Sequence, residues 1–250
     1  MKKIKFISIA IGLLLLPTFT SCDKDNIDEP NIPEEPEQPN DTTTIVTPKD
    51  SIIPNIDEFG ICIDKEVDLG LSVNWAGYNI GALSPEQNGD YIAWGEVYAK
   101  SSYSWDNYKH INPKTYRIEF LGESISGTEY DVASFRWNNG WRIPTAEEFN
   151  ELLDKCEWIG MVYKNGENGY KIKGPNGNCI FLPTTGFKDN PKRAHYGYYW
   201  TATYDKEYDT EAKGFSFSYF PSTLLGDSRI MGIINFEKYT GLTIRAVKNK

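Results

Sequence analysis

Hydrophobic and polar positions divide the chain into three stretches. Phe6 to Leu16 is an apolar run of 11 residues. Asn26 to Phe59 carries almost no large apolar side chain and is punctuated by Pro30, Pro33, Pro36, Pro39, Pro48 and Pro54. From residue 60 onward, short apolar runs alternate with Gly, Asn and Pro: Val67 to Trp75, Asp90 to Trp94, Tyr170 to Ile172, Cys179 to Leu182, Gly197 to Thr203, Gly214 to Phe220 and Leu242 to Val247. Phe215, Phe217 and Tyr219, and then Leu242, Ile244 and Ala246, recur at every second position, which predicts strands with one buried face. A helix is predicted after Pro144, where Thr145 and Glu148 form a capping box and Phe149, Leu152, Leu153 and Cys156 fall on one face. A shorter helix is expected from Asp131 to Trp137. Little helix, many short strands and much loop predict an α+β fold.

Charge sharpens the division. Lys2, Lys3 and Lys5 precede the apolar run, and residues 23–59 hold 11 acids against Lys24 and Lys49. All 7 Trp and all 16 Tyr lie beyond residue 59. The three regions are therefore a basic apolar leader (1–21), an acidic Pro-rich tether (22–59) and an aromatic-rich body (60–250). A tether of this composition cannot bury enough surface to offset its ordering entropy and is expected to stay extended. A net charge of −9 argues against nucleic acid, and two histidines, His110 and His195, are too few for a multi-histidine zinc site.

The leader is too short for a permanent membrane span, which needs about 20 apolar residues. It ends in Phe19-Thr20-Ser21-Cys22, which resembles the lipobox of bacterial lipoproteins. That resemblance implies a diacylglycerol thioether on Cys22, which becomes the mature N-terminus and holds the protein to the bilayer. Asp23 and Asp25 just after it resemble the surface-export signal of Bacteroidota lipoproteins, implying a lipid-anchored outer-membrane protein exposed at the cell surface; the alternative is a lipoprotein facing the periplasm. The Asp23-x-Asp25 spacing is not a calcium loop, because Ile27 and Asp28 stand where an oxygen ligand and a glycine are required.

Within the body, Val67-Asp68-Leu69-Gly70-Leu71-Ser72-Val73 with Trp75-Ala76 is followed by Gly89-Asp90-Tyr91 with Ala93-Trp94-Gly95-Glu96. Then come Trp141-Arg142-Ile143-Pro144-Thr145 with Glu147-Glu148-Phe149, Gly174-Pro175-Asn176-Gly177-Asn178 with Phe181-Leu182-Pro183, Gly197-Tyr198-Tyr199-Trp200-Thr201, and a closing Ile244-Arg245 with Val247. In this order they resemble the Fibrobacter succinogenes major paralogous domain, over nearly all of residues 62–248. The Trp141–Thr145 element is also similar to the core motif of formylglycine-generating-enzyme-like domains, which share the C-type-lectin-like fold. The resemblance implies a lectin-like core of two short helices, a curved antiparallel sheet, long loops and termini close together.

The motif residues Trp141, Arg142, Pro144, Thr145 and Glu148 read as structural. Trp141 and Phe149 should pack the helix onto the sheet, and Arg142 should pair with an acid or with carbonyls. Gly89, Gly95 and Gly177 suit turns of positive φ.

Formylglycine-generating enzymes bind copper through a cysteine pair near the C-terminus. No Cys follows Cys179, so that activity is not carried over, and no catalytic set, metal or cofactor is expected. Glu147, Glu148 and Glu151 are expected to be solvated or capping. Asp205, Glu207, Asp209 and Glu211 could hold Ca²⁺ but read more simply as an exposed acidic hairpin tip. Cys156–Cys179 is a permitted disulfide in an oxidising envelope. The related family often carries a Cys where this chain has Tyr78, and Cys156 sits where a buried free thiol is equally acceptable. The pairing stays open. Tyr103, Trp105 and Tyr108 in a Ser-rich loop, and Tyr196 after Lys192, Arg193 and His195, are the candidate ligand-binding aromatics, since sugar C–H faces stack on such rings. The expected function is a non-enzymatic recognition or adhesion domain for glycan or protein. The alternatives are a structural or accessory subunit of an envelope complex, or an unrecognised enzyme.

Overall fold

Thr145 opens the longer helix as the pattern predicts. In the computed structural model, which describes residues 54–188, 195–220 and 228–250, its hydroxyl accepts from Glu148 N and the Glu148 carboxylate accepts from Thr145 N at 2.8 Å. The helix, α2, runs Ala146–Lys155. The shorter α1, Val132–Trp137, starts at Asp131, whose carboxylate accepts from the N–H groups of Ala133 and Ser134. The same carboxylate also accepts from Gly127 N and Ile143 N, both at 2.8 Å, and so ties the helix start to the strand that follows it.

Among the described residues, ten strands form three small antiparallel sheets. The first joins β1 (Glu66–Val67), β2 (Val73–Ala76), β10 (Val247–Asn249) and β3 (Trp141–Arg142) in the order β1-β2-β10-β3. Both β1 and β10 pair with β2, so the two ends of the body meet on one sheet. The second is a meander of β4 (Glu157–Lys164), β5 (Glu167–Lys173) and β6 (Cys179–Pro183), and the third a meander of β7 (Tyr196–Tyr204), β8 (Glu211–Phe220) and β9 (Ser228–Glu237). The fold is α+β: loop-rich, dominated by antiparallel strands, with two helices among the described residues.

Among the described residues, two large apolar clusters fill the interior, beside a smaller one around Tyr103 and Tyr108. In the first, Phe149 of α2 stacks on Phe215 of β8 with centroids 4.7 Å apart and meets Trp75 edge-on at 5.0 Å. In the second, Trp94, Trp141, Tyr198 and Trp200 gather around Ile92, Ile244 and α1. Two of the buried indoles are satisfied by carbonyls: Trp94 donates to Thr201 O at 3.0 Å and Trp200 to Ile92 O at 2.8 Å. A large aromatic buries about 150–250 Å², roughly 4–6 kcal/mol of transfer free energy, so a few such residues dominate a domain with this much loop.

Several expectations change. Phe149 packs helix onto sheet as expected, but Trp141 lies in the other cluster, edge-on to Trp137 of α1 at 5.3 Å. The stretch Val67–Trp75 is not one strand. Asp68 accepts from Gly70 N at 2.7 Å, Gly70 adopts φ +78°, and the chain folds into the β1–β2 hairpin. Asp90–Trp94 contributes only a bridge, Ile92 to Leu242. Residues 54–59, assigned to the tether, belong to the body: Ile56 bridges Cys62, Asp57 accepts from Phe59 N and Ile61 N, and its carboxylate lies 2.8 Å from Lys164 Nζ. A half-buried carboxylate facing a buried ammonium outweighs the polar composition there. The leader, Cys22 and tether residues through 53 lie outside the described residues, as do Lys192 and Arg193. Gly89, Gly95 and Gly177 take φ of +72°, +79° and +91°. At Gly89 a Cβ would stand 2.3 Å from Ile80 O, so the turn needs glycine for space as well as for φ.

Candidate functional site

His110 and Glu119 open and close a hairpin whose strands touch at the Ile111–Ile118 bridge. Glu119 N donates to His110 O at 2.9 Å and Asn112 N to Arg117 O at 2.8 Å. Asn112 shapes the tip: its side-chain oxygen accepts from Lys114 N and Thr115 N, and its carbonyl accepts from Tyr116 N at 2.8 Å. These bonds hold Tyr116 at φ +54°, a conformation bulky residues rarely adopt, with its ring 74% exposed.

Buried polar contacts pin the base of the hairpin. Buried Glu96 accepts from Lys109 N at 2.9 Å and pairs with Lys100 Nζ at 2.8 Å. His110, also buried, directs Nε2 at Gly95 O, 2.9 Å away, which requires the proton on that nitrogen. Its Nδ1 lies 3.2 Å from Glu119 Oε2. Beside this hairpin is a solvent-open cleft of about 410 Å³, lined by Lys109, His110, Asn112, Arg117 and Glu119 among others.

The sequence-predicted aromatics fall in two places. Tyr103, Trp105 and Tyr108 form one cluster with Tyr91 and Tyr239. Tyr103 and Tyr108 are 5% and 3% exposed, and their hydroxyls donate to the carbonyls of Tyr91 and Trp94. Burial pushes the Tyr108 phenol upward. These two are core side chains, a correction to their assignment as open ligand contacts: each ring has an apolar body to bury and an OH that finds a main-chain acceptor. Trp105 is half-buried, edge-on to Tyr239 at 4.9 Å. Tyr196 lies apart from them on β7, half-buried and stacked on Tyr198 at 5.7 Å.

The motif residues assemble a clamp. Arg142 grips Glu148 with two nitrogens, Nη1 at 2.9 Å and Nη2 at 2.5 Å, and donates to Asn249 Oδ1 at 2.7 Å from Nη2. Pro144 O accepts from Ala202 N at 2.8 Å. The clamp locks β3, α2 and the C-terminal strand together. The Glu148 pairing strongly favours the guanidinium's charged form. Deeper in, fully buried Arg245 donates to Asn79 Oδ1, Ala76 O and Phe181 O, while burial lowers it to about 10.

Of the carboxylates, Glu148 caps α2, Glu151 accepts from Ser72 and pairs with Lys155 at 2.8 Å, and Glu147 is exposed. Asp205 is buried: it accepts from Glu207 N and Tyr208 N and pairs with Lys213 at 3.1 Å, which makes it a turn cap of the β7–β8 hairpin. Among the described residues no group of His, Cys, Asp and Glu is arranged to hold a metal ion. Cys62, Cys156 and Cys179 are free thiols, and Cys62 N donates to Cys179 O at 2.8 Å. Burial pushes all three up, Cys156 to about 11.

Sequence reasoning passed over Lys109, Lys114, Tyr116 and Arg117. The available signal was a run of cations without an acid around Asn112-Pro113 in an acidic chain. Fold and cleft together define a loop-rich, antiparallel α+β domain with a rigid polar concavity on one hairpin. No family model matches the chain, and neither does any curated protein or solved structure.

Proposed function

We propose that this is a surface lipoprotein: a lipid anchor on Cys22, an extended acidic tether, and a recognition head of the Fibrobacter succinogenes major paralogous type with a C-type-lectin-like fold. The head binds glycan or protein and performs no chemistry on it. The observation that carries the reading is the hairpin cleft, a solvent-open concavity of about 410 Å³ built on buried Glu96, ion-paired with Lys100, and buried His110, hydrogen-bonded to Gly95 O. Ligand sites are concavities of this order, roughly 300–1,000 Å³, with polar groups fixed by a stiff scaffold. The two helices, the antiparallel sheets and the meeting of β1 and β10 on β2 agree with a lectin-like core.

A glycan and host-protein array probed with the full-length chain tests the job. Saturable binding to a defined subset supports it, and silence across the array counts against it. Fatty-acid labelling of wild type and Cys22→Ala, with protease shaving of whole cells, tests the address. Label and surface accessibility should both depend on Cys22.

A second reading, an accessory subunit of an envelope complex, draws on β9. It is the edge strand of its sheet, with Ile230 66% and Ile234 45% exposed. A stoichiometric partner recovered from solubilised membranes would favour it.

A further inference from the structure

Among the described residues, cationic side chains are committed, with one local exception. Arg136, Arg142, Lys155, Lys164, Lys213 and Lys248 each lie within 3.1 Å of a carboxylate oxygen. Lys100, Lys173, Lys206 and Lys250 are also ion-paired. Lys171, Lys238 and Arg245 donate to carbonyls, and Lys65 and Lys188 sit over aromatic rings. The side chains of Lys109, Lys114 and Arg117 meet no carboxylate, carbonyl or ring among the described residues. All three belong to the 110–119 hairpin or its base. Lys109 and Arg117 line the cleft, and Lys114 stands at the tip.

Two uncommitted cations lining one cleft and a third at the hairpin tip, in a chain of net charge −9, form a local positive site where chance pairing with the abundant acids would be expected. The carboxylate in the cleft wall, Glu119, lies against His110 Nδ1 at 3.2 Å. Arg117 offers the planar fork that matches carboxylate or sulfate oxygens, and Lys109 and Lys114 add point charges. Tyr116, between the lining residues Thr115 and Arg117, presents an exposed ring held at φ +54°. An aromatic face next to cations suits a ring with C–H faces and anionic substituents.

From these features we infer that the cleft binds an acidic saccharide, one bearing uronate or sulfate groups. This rests on the recognition reading and narrows its ligand. Three cations on one hairpin are too few for a nucleic-acid backbone, which calls for a longer basic surface.

Calorimetry of the full-length chain with trigalacturonate and with a heparin-derived tetrasaccharide tests the inference. Galactotriose serves as the neutral control and inorganic phosphate as the bare anion. At least one acidic saccharide should bind saturably, more weakly as salt rises, and galactotriose at least tenfold less tightly. Lys109→Gln with Arg117→Gln should weaken the acidic ligand at least tenfold. Tyr116→Gly, which accepts the same φ, should weaken it severalfold, and Lys206→Gln should leave it unchanged. Unaltered urea midpoints show that the variants are folded. Equal binding of galactotriose, acid binding that survives the double substitution, phosphate binding as tight as either saccharide, or no binding of either acidic probe would each overturn the inference. A neutral glycan or a protein captured on the array in that case leaves the wider recognition reading standing, whereas silence on the array removes both.

Discussion

The Arg142–Glu148 clamp supplies the sharpest energetic test. Both side chains are largely shielded, 18% and 14% exposed, and Glu148 serves two masters: Arg142 and the capping box of α2. In Glu148→Gln the amide oxygen can still accept from Thr145 N, but an NH₂ group then faces Arg142 Nη2. One charge-assisted bond and the ion pair are lost. Hydrogen bonds to charged groups contribute about 1.5–3 kcal/mol, so Glu148→Gln should cost about 2 kcal/mol. Glu148→Ala also breaks the capping box, adding about 1 kcal/mol. In a double-mutant cycle with Arg142→Ala the coupling should be about 1.5–3 kcal/mol, read from urea midpoints at constant m. A coupling under about 0.5 kcal/mol, the level of an exposed surface pair, would refute the clamp.

Other outcomes follow from the same geometry. Lys164→Met should destabilise by roughly 3 kcal/mol in urea unfolding, because the buried ammonium lies 2.8 Å from Asp57 and 3.3 Å from Glu86 and its loss leaves two half-buried carboxylates. On acidification, stability should fall as pH drops below about 4: ion pairs and hydrogen bonds outweigh burial and hold Asp57, Glu86, Glu151 and Asp205 below the usual carboxylate range, so the unfolded chain takes up protons first. On the alkaline side the thiols act in the opposite sense. Burial raises Cys62, Cys156 and Cys179, so their contribution is complete below about pH 9 and is lost as the unfolded chain ionises above it; in parallel, iodoacetamide at pH 8.5 should label them slowly in the native protein and fast in denaturant. Gly89→Ala should lower the melting temperature by several degrees, since the added Cβ meets Ile80 O at 2.3 Å and the φ of +72° resists it.

How much of this was readable in advance depended on whether the signal was local. The capping box and the 3.6-residue period that placed α2 are local, as is the Asp131 cap of α1, and both helices lie where expected. Strands whose two faces meet different surroundings escaped. On β9, Met231 and Ile233 pack toward the first core while Ile230 and Ile234 point away, so no alternation marks it. β4 carries a bulge between Ile159 and Met161 that shifts its period. The run Leu242–Val247 is buried as expected, yet it joins its neighbours through single bridges at Leu242 and Thr243 before β10 begins. At the site, Ser-rich flanks suggested an exposed Tyr103 and Tyr108. Main-chain acceptors at Tyr91 and Trp94, far from obvious in the sequence, draw both inward. The hairpin cleft requires the Ile111–Ile118 pairing before Lys109 and Arg117 can be seen to share a surface.

Hydrogen exchange of the full-length chain, with and without its strongest array ligand, reads directly whether recognition takes place at the 110–119 hairpin. Slowed exchange at residues 109–119, above all at the amides of the tip around Lys114 to Arg117, is the predicted result. Protection concentrated elsewhere, for instance along β9, with the hairpin unchanged, would contradict it.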